Sequence, residues 1–463
     1  MKNPKLDNLR KTLLEKNITF LLGAGASAPF FSTLGNIEEI LTDRRVSDLG
    51  KQLVKILFYK QSIAENELLM RFVYEEEINK KKKELEGILD NYVWFIHNML
   101  EYLKVRNSKI SPRRMNVVTT NYDMFFEVGM EKTLENNTRM FFNDGANGYI
   151  KRFFSTDNFN KTLSYSGLND DYSNEMPSIN LVKCHGSANW ELYGEERKEK
   201  LKIRVTPDAG LIYGINRKVK CLLEKMDSYF AENAFAVTDI FSEARNTDDA
   251  IKSFSRNSLE ELIAPINNLA DMFKEEIEEL SPDIEKLQIV FPTKKKFETT
   301  LITEYYFNTL RLLSYELEKE QTVLIVFGFS FYDEHITDIV QRSLNNPNLL
   351  VYIFVFKDGS KEEMVSKFNF SEHGIPQNIF FIEPNDFLYK RMTTEDWEDN
   401  EKRTEGRINY SDNLQIEKDD YIMLYSNDMS EMNGEPVIDF KSFNKLLQVG
   451  LSTHYHNKGE PSE

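Results

Sequence analysis

The run Met-Asn-Val-Val-Thr-Thr-Asn-Tyr-Asp, from Met115 to Asp123, joins an apolar strand to polar residues at its end. A second run of this kind, Ile-Asn-Leu-Val-Lys-Cys from Ile179 to Cys184, is followed directly by His185. In open α/β sheets, ligands bind just beyond the carboxyl ends of the strands. We therefore expect the side chains of Asn121, Asp123 and His185 to face one crevice.

Two more apolar runs end in small or polar residues. Ile18 to Leu22 is followed by the glycine turn Gly-Ala-Gly-Ala-Ser, which ends at Ser27. This turn predicts a strand, a tight turn and the start of a helix. Thr322 to Phe327 is followed by Gly-Phe-Ser-Phe-Tyr-Asp-Glu-His, from Gly328 to His335. Four strand ends of this type indicate a single site.

Strands that are apolar throughout and alternate with helices are typical of a parallel sheet covered on both faces. We therefore predict an α/β fold, a Rossmann-like doubly wound parallel sheet of about six to seven strands with large helical insertions and a C-terminal extension. The predicted strands are residues 18–22, 115–119, 179–184, 287–291, 322–327, 349–356 and 378–382.

The periodicity also divides the chain into regions. Residues 1–385 form the predicted nucleotide-binding domain, whose core is about 10–190 and 287–385. Helical insertions are expected at about 50–108 and 191–286, and residues 124–178 show no clean period. Residues 386–463 are acidic and polar in their first part, and we interpret them as an interaction or regulatory extension.

The amino-acid composition of the chain argues against several classes of function. The chain has 463 residues, of which 41% are hydrophobic, and a formal net charge of -17. Such a charge argues against nonspecific nucleic-acid binding, which needs a basic surface to displace counterions. The two cysteines exclude a disulfide framework and a four-cysteine zinc site. The apolar stretches are too short to span a membrane, and we expect a soluble cytoplasmic protein.

Each motif alone has a simpler explanation. A Gly-Ala-Gly turn is often only a place of close packing. Thr and Asn after a strand often cap the next helix, as Asp333 or Glu334 can at the helix that begins near Ile336. A buried histidine such as His185 is commonly a hydrogen-bonded structural residue. Because packing does not require all four strand ends to be small and polar, the joint pattern favours a ligand site.

Together, the motifs carry a resemblance to a known family. Gly-Ala-Gly-Ala-Ser at 23–27, Thr-Asn-Tyr-Asp at 120–123, Lys-Cys-His-Gly-Ser-Ala-Asn-Trp at 183–190 and Gly-Phe-Ser-Phe-Tyr-Asp-Glu-His at 328–335 occur in the order found in sirtuin-like domains. The chain most resembles the bacterial anti-phage defence branch of this family. The resemblance covers roughly residues 10–190 and 287–385, and leaves the insertions and the extension without a counterpart.

The resemblance implies NAD binding and cleavage of the nicotinamide-ribose bond, with no metal. Gly23, Ala24, Gly25 and Ser27 would hold the pyrophosphate and the adjacent ribose. Asn121 and Asp123 would face the nicotinamide ribose and carboxamide, with Thr120 beside them, and His185 would take the place of the catalytic base. Gly328 and Ser330 would contact the adenosine, and Asp358 would lie near the adenine.

The sequence departs from the deacetylating sirtuins at two points. It lacks the four-cysteine zinc module, and Thr120 stands where those enzymes usually have Gln. Hydrolysis of NAD needs no tunnel for an acylated lysine. Its transition state resembles the oxocarbenium ion of glycoside cleavage, in which a site must hold the ribose and orient a water. Asn121 is the candidate to orient that water, and His185 the candidate to accept a proton.

The first hypothesis is therefore an NAD hydrolase that gives ADP-ribose and nicotinamide. Because unrestrained NAD loss would kill a cell, we expect gating by homo-oligomerisation, by the insertions or by a partner. The resemblance implies a role in phage defence and abortive infection, with a HerA-type hexameric ATPase or another phage-sensing protein as the partner. The alternatives are a protein deacylase or ADP-ribosyltransferase, and a noncatalytic sensor or scaffold that binds NAD or ADP-ribose.

Overall fold

A computed structural model describes most of the chain. The described residues are 12–13, 16–30, 37–74, 80–106, 112–137, 139–167, 169, 173–194, 201–233, 246–291, 300–370, 374–386, 414–416, 422–424 and 437–457. Among them, no helix is both long and apolar enough to cross a membrane.

Sixteen strands occur in the described residues. In chain order they are β1 (Asn17–Leu22), β2 (Arg114–Thr119), β3 (Phe141–Asn143), β4 (Ala146–Asn147), β5 (Arg152–Phe154), β6 (Ser164–Tyr165), β7 (Asn174–Glu175), β8 (Ser178–Lys183), β9 (Gly186–Tyr193), β10 (Lys202–Val205), β11 (Leu287–Ile289), β12 (Thr322–Phe327), β13 (Leu349–Phe354), β14 (Ile379–Ile382), β15 (Leu414–Ile416) and β16 (Ile422–Leu424).

Thirteen α-helices accompany these strands in the same described part of the chain. They are α1 (Ile37–Thr42), α2 (Asp48–Ser62), α3 (Asn66–Tyr74), α4 (Lys80–Val105), α5 (Phe125–Leu134), α6 (Gly210–Asn233), α7 (Thr247–Arg256), α8 (Leu259–Met272), α9 (Lys274–Lys286), α10 (Thr300–Glu318), α11 (Glu334–Ser343), α12 (Lys361–Ser366) and α13 (Phe440–Asn457).

The central sheet has seven strands in the order β14-β13-β12-β1-β2-β8-β3. Every neighbouring pair in it is parallel. Alternate residues of each strand enter different cores, because successive side chains point to opposite faces. Phe20 belongs to the core beneath α4 and α5, whereas Leu21 belongs to the core beneath α10 and α11. The predicted α/β class with a doubly wound parallel sheet is confirmed.

One predicted strand of the parallel sheet belongs elsewhere. The run predicted at 287–291 forms β11, which pairs antiparallel with β9 in a second sheet, ordered β11-β9-β10-β5-β4. The edge strand of the central sheet is instead β3, in the stretch 124–178 that showed no period. A short apolar run does not reveal its pairing partner, so periodicity alone could not separate the two sheets.

In its described residues, the predicted insertion at 191–286 is helical from Gly210 onward. Its first part contains the end of β9 and all of β10, which pair antiparallel with each other. Helices α6, α7, α8 and α9 follow. Within the predicted insertion at 50–108, α4 packs against α5 and covers one face of the central sheet.

The helix α13 lies within the predicted extension 386–463. Its residues Phe440 and Phe443 are buried in the same core as Phe20. The rings of both stack on Phe327 at the end of β12, with centroid separations of 5.2 Å and 4.6 Å. The hydrophobic core of the sheet therefore includes residues well beyond 385. The regulatory role of the extension stays a prediction, and most of residues 387–436 lie outside the described residues.

Candidate functional site

The glycine turn lies at the switch point of the sheet. From the central strand β1, the chain order runs outward to β2 and β8 on one side and to β12 and β13 on the other. In doubly wound sheets, ligands bind at the carboxyl end of the strands at this point. Gly23 and Gly25 follow β1, and Gly328 follows β12, so the predicted glycines occupy the expected edge.

These glycines let two loops touch. A Cβ on Gly23 would lie 2.3 Å from the carbonyl oxygen of Gly328, and a Cβ on Gly25 would lie 2.7 Å from its Cα. The amide of Gly25 donates to the Gly328 carbonyl at 2.9 Å. Gly328 also has a φ of +65°, a conformation that favours glycine. The close-packing explanation of the Gly-Ala-Gly turn therefore holds.

The helix that starts at the turn is a single 3-10 turn over Ala24–Ala26, with Ser27 as its C-cap. Residues 31–36 lie outside the described residues. Ala24 is exposed at the mouth of the loop, whereas Ser27 is only 1% exposed. Because the Ser27 hydroxyl donates to Asp123 Oδ2 at 2.8 Å, this side chain joins two loops of the protein.

The amide group of Asn121 is also directed into the protein. Its Nδ2 donates to the Gly23 carbonyl and to Ser27 Oγ, both at 3.1 Å. Its backbone amide donates to the Thr119 hydroxyl at 3.1 Å. The Tyr92 hydroxyl lies 2.8 Å from Ser27 Oγ and completes the group. These hydrogen bonds join the end of β2 to the loop after β1.

A buried lysine, Lys183, also bonds to this group of residues. The Lys183 ammonium, 3% exposed, lies 2.7 Å from Glu127 Oε1 and donates to Ser187 Oγ at 2.9 Å. It also donates to the backbone carbonyl of Asp123. Burial raises the pKa of the Asp123 carboxyl, and the positive charge of Lys183 partly offsets this shift. Burial raises the pKa of Glu127 in the same way. The ammonium therefore forms an ion pair with Glu127 and also acts on the Asp123 carboxyl through its charge.

Sequence reasoning missed Lys183, Glu127 and Tyr92. One signal was available, because Lys183 is the single charged residue of the run from Ile179 to Cys184. A buried lysine needs a carboxylate partner. The partner lies on helix α5, and only the folded chain shows that Glu127 faces the strand.

On the other face of the sheet, His185 forms an ion pair or hydrogen bond with Asp333. The distance between Nε2 and Asp333 Oδ2 is 2.9 Å, and the two side chains are 14% and 7% exposed. The other oxygen of Asp333 accepts from the amides of His335 and Ile336 at the start of α11. Asp333 is therefore the predicted helix cap and also a partner of the predicted catalytic histidine.

This contact spans the site. His185 follows β8 and Asp333 follows β12, and two strands, β1 and β2, lie between them in the sheet. Since neighbouring strands are about 4.8 Å apart, the pair bridges strand ends about 14 Å apart. The His185-Asp333 pair therefore crosses the carboxyl edge where the loops after β1 and β2 meet.

Tyr122 separates the Asn121 side chain from His185. Its ring lies 6.4 Å from the imidazole, and its hydroxyl donates to the Val290 carbonyl at 2.6 Å. The amide of Val290 in turn donates to the backbone carbonyl of His185 at 2.8 Å. A small cavity beside Asn121 is lined by Tyr92, Asp123, Lys183 and neighbouring residues, with His185 outside that lining. The structure brings both predicted catalytic residues to one edge, on the two sides of Tyr122.

Three further predicted residues lie around the same edge. Thr120 is half-buried, and its amide donates to the Leu22 carbonyl at 3.4 Å. Ser330 is exposed beyond Gly328. Asp358 is half-buried in the loop after β13, the neighbour of β12.

The loop that carries Asp358 also meets the C-terminal part of the chain. Lys357 pairs with Val437 in an isolated bridge, and the Ile438 amide donates to the Phe356 carbonyl at 2.9 Å. The start of α13 is therefore close to the predicted adenine side of the edge.

The two cysteines are free. Cys184 is buried, and burial raises the pKa of its thiol to about 12, so it remains protonated near neutral pH. Cys221 is exposed on α6. In the described ranges, no group of three or more His, Cys, Asp or Glu side chains is arranged to hold a metal ion.

Comparison with known proteins adds no assignment to this geometry. No protein-family model matches the chain, and no curated protein matches it.

Proposed function

We propose that the protein hydrolyses NAD at the nicotinamide-ribose bond and releases ADP-ribose and nicotinamide. One observation carries the proposal. The loops after β1, β2, β8 and β12 meet at the switch point of a parallel sheet, and side-chain contacts join them there. Dinucleotides bind at this position in doubly wound sheets. The sirtuin-like order of the four motifs supports NAD as the dinucleotide.

The geometry of His185 supports a role as a base. The Asp333 carboxylate accepts a hydrogen from Nε2, and this contact favours the tautomer in which Nδ1 carries the lone pair. We assign contact with a ribose hydroxyl to Nδ1 for this reason. Proton transfer by a positioned side chain contributes about 10²–10⁴-fold to a rate.

Asn121 has a different role in the proposal. Both of its hydrogen bonds from Nδ2 go to the loop after β1, so the amide fixes the shape of that loop. Binding of NAD exchanges one of them for the attacking water. Catalytic hydrogen bonds often tighten or change only in the substrate complex. The Asp123 carboxylate, next to this position, favours the positive charge that builds on the sugar.

The experiment is a time course of NAD, nicotinamide and ADP-ribose with the purified protein and no acceptor. We expect nicotinamide release by the wild type, and a loss of about 100-fold or more in His185→Ala and Asn121→Ala. The control variant is Lys83→Ala, on the exposed side of α4, which keeps the wild-type rate. Circular dichroism shows whether each variant retains the fold.

Other outcomes separate the alternatives. Nicotinamide release only with an acylated peptide supports a deacylase, and transfer of ADP-ribose to a protein supports a transferase. Binding of NAD without turnover supports a sensor. Wild-type NAD loss in both folded variants contradicts the assignment of the site.

We propose further that the activity is gated within bacterial anti-phage defence. Uncontrolled NAD loss is lethal, so the enzyme must be held inactive until a signal arrives. A homo-oligomer, or a complex with a HerA-type hexameric ATPase or another phage-sensing protein, is the proposed control. The time course is therefore repeated with the product of a neighbouring gene. Mass measurement of the protein alone and in the mixture tests both forms of assembly.

A further inference from the structure

A groove lies between α10 and α11, on the outer side of the helices that cover the His185 face of the sheet. Its volume is about 500 Å³, within the range of small-molecule sites. Leu310 and Ile339, each 6% exposed, form its apolar floor.

The walls of the groove carry positive charge. Arg311 on α10 and Arg342 on α11 line it from facing helices, together with His335. Arg342 Nε donates to the Asp338 carbonyl at 3.3 Å, a contact that holds the guanidinium near the groove. With one carboxylate, Asp338, the lining has a formal charge of at least +1, in a chain whose net charge is -17. An anion is therefore attracted to this place against the charge of the whole protein.

The groove also offers an aromatic surface. Phe307 lines it one turn before Arg311, and 45% of this residue is exposed. Exposed rings next to arginines are suited to stacking with a nucleobase, while guanidinium groups bind phosphate oxygens in pairs. Ser314 adds a hydroxyl on the same face of α10.

We propose that this groove binds a nucleoside diphosphate. In this arrangement the base stacks on the ring of Phe307. The guanidinium groups of Arg311 and Arg342 hold the phosphates, and the Asp338 carboxylate accepts a hydrogen bond from a ribose hydroxyl. An inorganic anion alone would leave the exposed ring and the apolar floor unused. The volume fits one nucleotide, and it lies outside the candidate NAD site, because no predicted NAD-binding residue is in its lining.

The position of the groove links it to the candidate site. Helix α11 supplies His335 and Arg342, and its N-cap is Asp333, the partner of His185. The Tyr306 ring lies 5.7 Å from the His185 ring and 6.0 Å from the His335 ring. A ligand that moves α11 therefore moves Asp333 as well. This link to catalysis rests on the proposed function, whereas binding to the groove does not.

The test is titration of the full chain with ADP, followed by calorimetry and by NMR of the histidine imidazoles. We expect binding, with a shift of the His335 signal, which is assigned from its absence in His335→Gln. The double variant Arg311→Glu with Arg342→Glu weakens binding by at least about tenfold, equivalent to about 1.4 kcal/mol. The matched control is Arg217→Glu with Lys220→Glu, which reverses two exposed charges on α6 and leaves binding unchanged.

Further binding measurements distinguish a ligand in the groove from a ligand at the candidate NAD site. Phe307→Ala weakens ADP binding and leaves the weaker binding of inorganic pyrophosphate unchanged. The inference is overturned if ADP does not bind, if pyrophosphate binds as tightly as ADP, or if ADP binding is insensitive to the Arg311 and Arg342 reversal and shifts only the His185 signal. None of these results depends on whether the protein hydrolyses NAD.

Discussion

Two polar groups lie at the same edge of the sheet, and they differ in their exposure to solvent. The first comprises Ser27, Asn121, Asp123 and Lys183, which are 1%, 8%, 6% and 3% exposed and bond to one another. The second is His185 with Asp333, on the opposite face, where the imidazole is 14% exposed. We call these the sealed cluster and the open pair. Buried polar groups need their partners, so the sealed cluster mainly fixes shape, and Asn121 is its one member that we propose to exchange a partner. The open pair is more exposed and exchanges a partner for a ligand more readily.

The largest effect on stability is expected for Lys183→Met in the sealed cluster. The change leaves Glu127 and Asp123 as buried carboxyls without a cation. Removal of one partner of a buried ion pair typically lowers the free energy of unfolding by about 3–5 kcal/mol. Denaturation in urea measures this loss. Lys83→Met, at an exposed position on α4, serves as the control and changes the free energy little. Equal effects for the two variants would show that the cluster is not sealed.

A smaller loss is expected for Ser27→Ala. The variant removes the hydroxyl that donates to Asp123 and receives a hydrogen bond from Asn121. Leaving buried groups without a partner costs about 1–3 kcal/mol. The matched control is Ser314→Ala, a half-buried serine on α10. If thermal unfolding and urea denaturation show no difference between the two variants, water replaces the Ser27 hydroxyl and the cluster is open.

The pH dependence of stability is the third prediction. Burial raises the pKa of Asp123 above its ordinary 3.8, so the folded state binds a proton more tightly than the unfolded state. This contribution to stability is present at low pH and declines as the pH rises from about the ordinary value through the folded pKa, by up to about 1.4 kcal/mol per unit. In Asp123→Asn this decline disappears from the stability curve. A curve parallel to that of the wild type between pH 4 and 7 would contradict the raised pKa.

The smallest effect on stability is expected for His185→Gln in the open pair. Glutamine retains a donor for Asp333, and the site is partly exposed, so the loss of unfolding free energy stays below about 1 kcal/mol. The proposed hydrolysis nevertheless falls by about 100-fold or more, because glutamine does not accept the proton. A large loss of stability in this variant would instead make His185 a structural residue and remove the contrast with the sealed cluster.

The sequence supported the fold class because its strands are apolar throughout. A strand covered on both faces is apolar along its length wherever it lies in the sheet. This apolar content predicted six strands of the central sheet, namely β1, β2, β8, β12, β13 and β14. The prediction placed residues 287–291 in the central sheet, where the structure instead has β3. This error also arises from reading strands by their apolar content. Short runs such as Phe141–Asn143 carry too few residues to show a period, and apolar content does not identify the neighbouring strand.

The candidate site was predictable only in part. Position at a strand end is a property of sequence order, and it places Asn121 and His185 at one edge. The expected common crevice is not seen, because the cavity lined by Asn121 and Asp123 does not include His185. The direction of each side chain depends on partners that are remote in the chain. Tyr92 and Glu127 approach from two helices, and Asp333 comes from the other half of the sheet. Such pairings follow from packing and leave no local pattern.

Helix α13 has a consequence for how the molecule is made. The ribosome synthesises the chain from its N-terminus. The aromatic rings of Phe327 and Phe354 therefore lack their contacts with Phe443 until that residue has been made. Until the residues after Val437 have emerged, this side of the nascent sheet keeps an apolar surface of the kind that chaperones recognise. A chain cut before Val437, by a protease or by a premature stop codon, keeps that surface permanently.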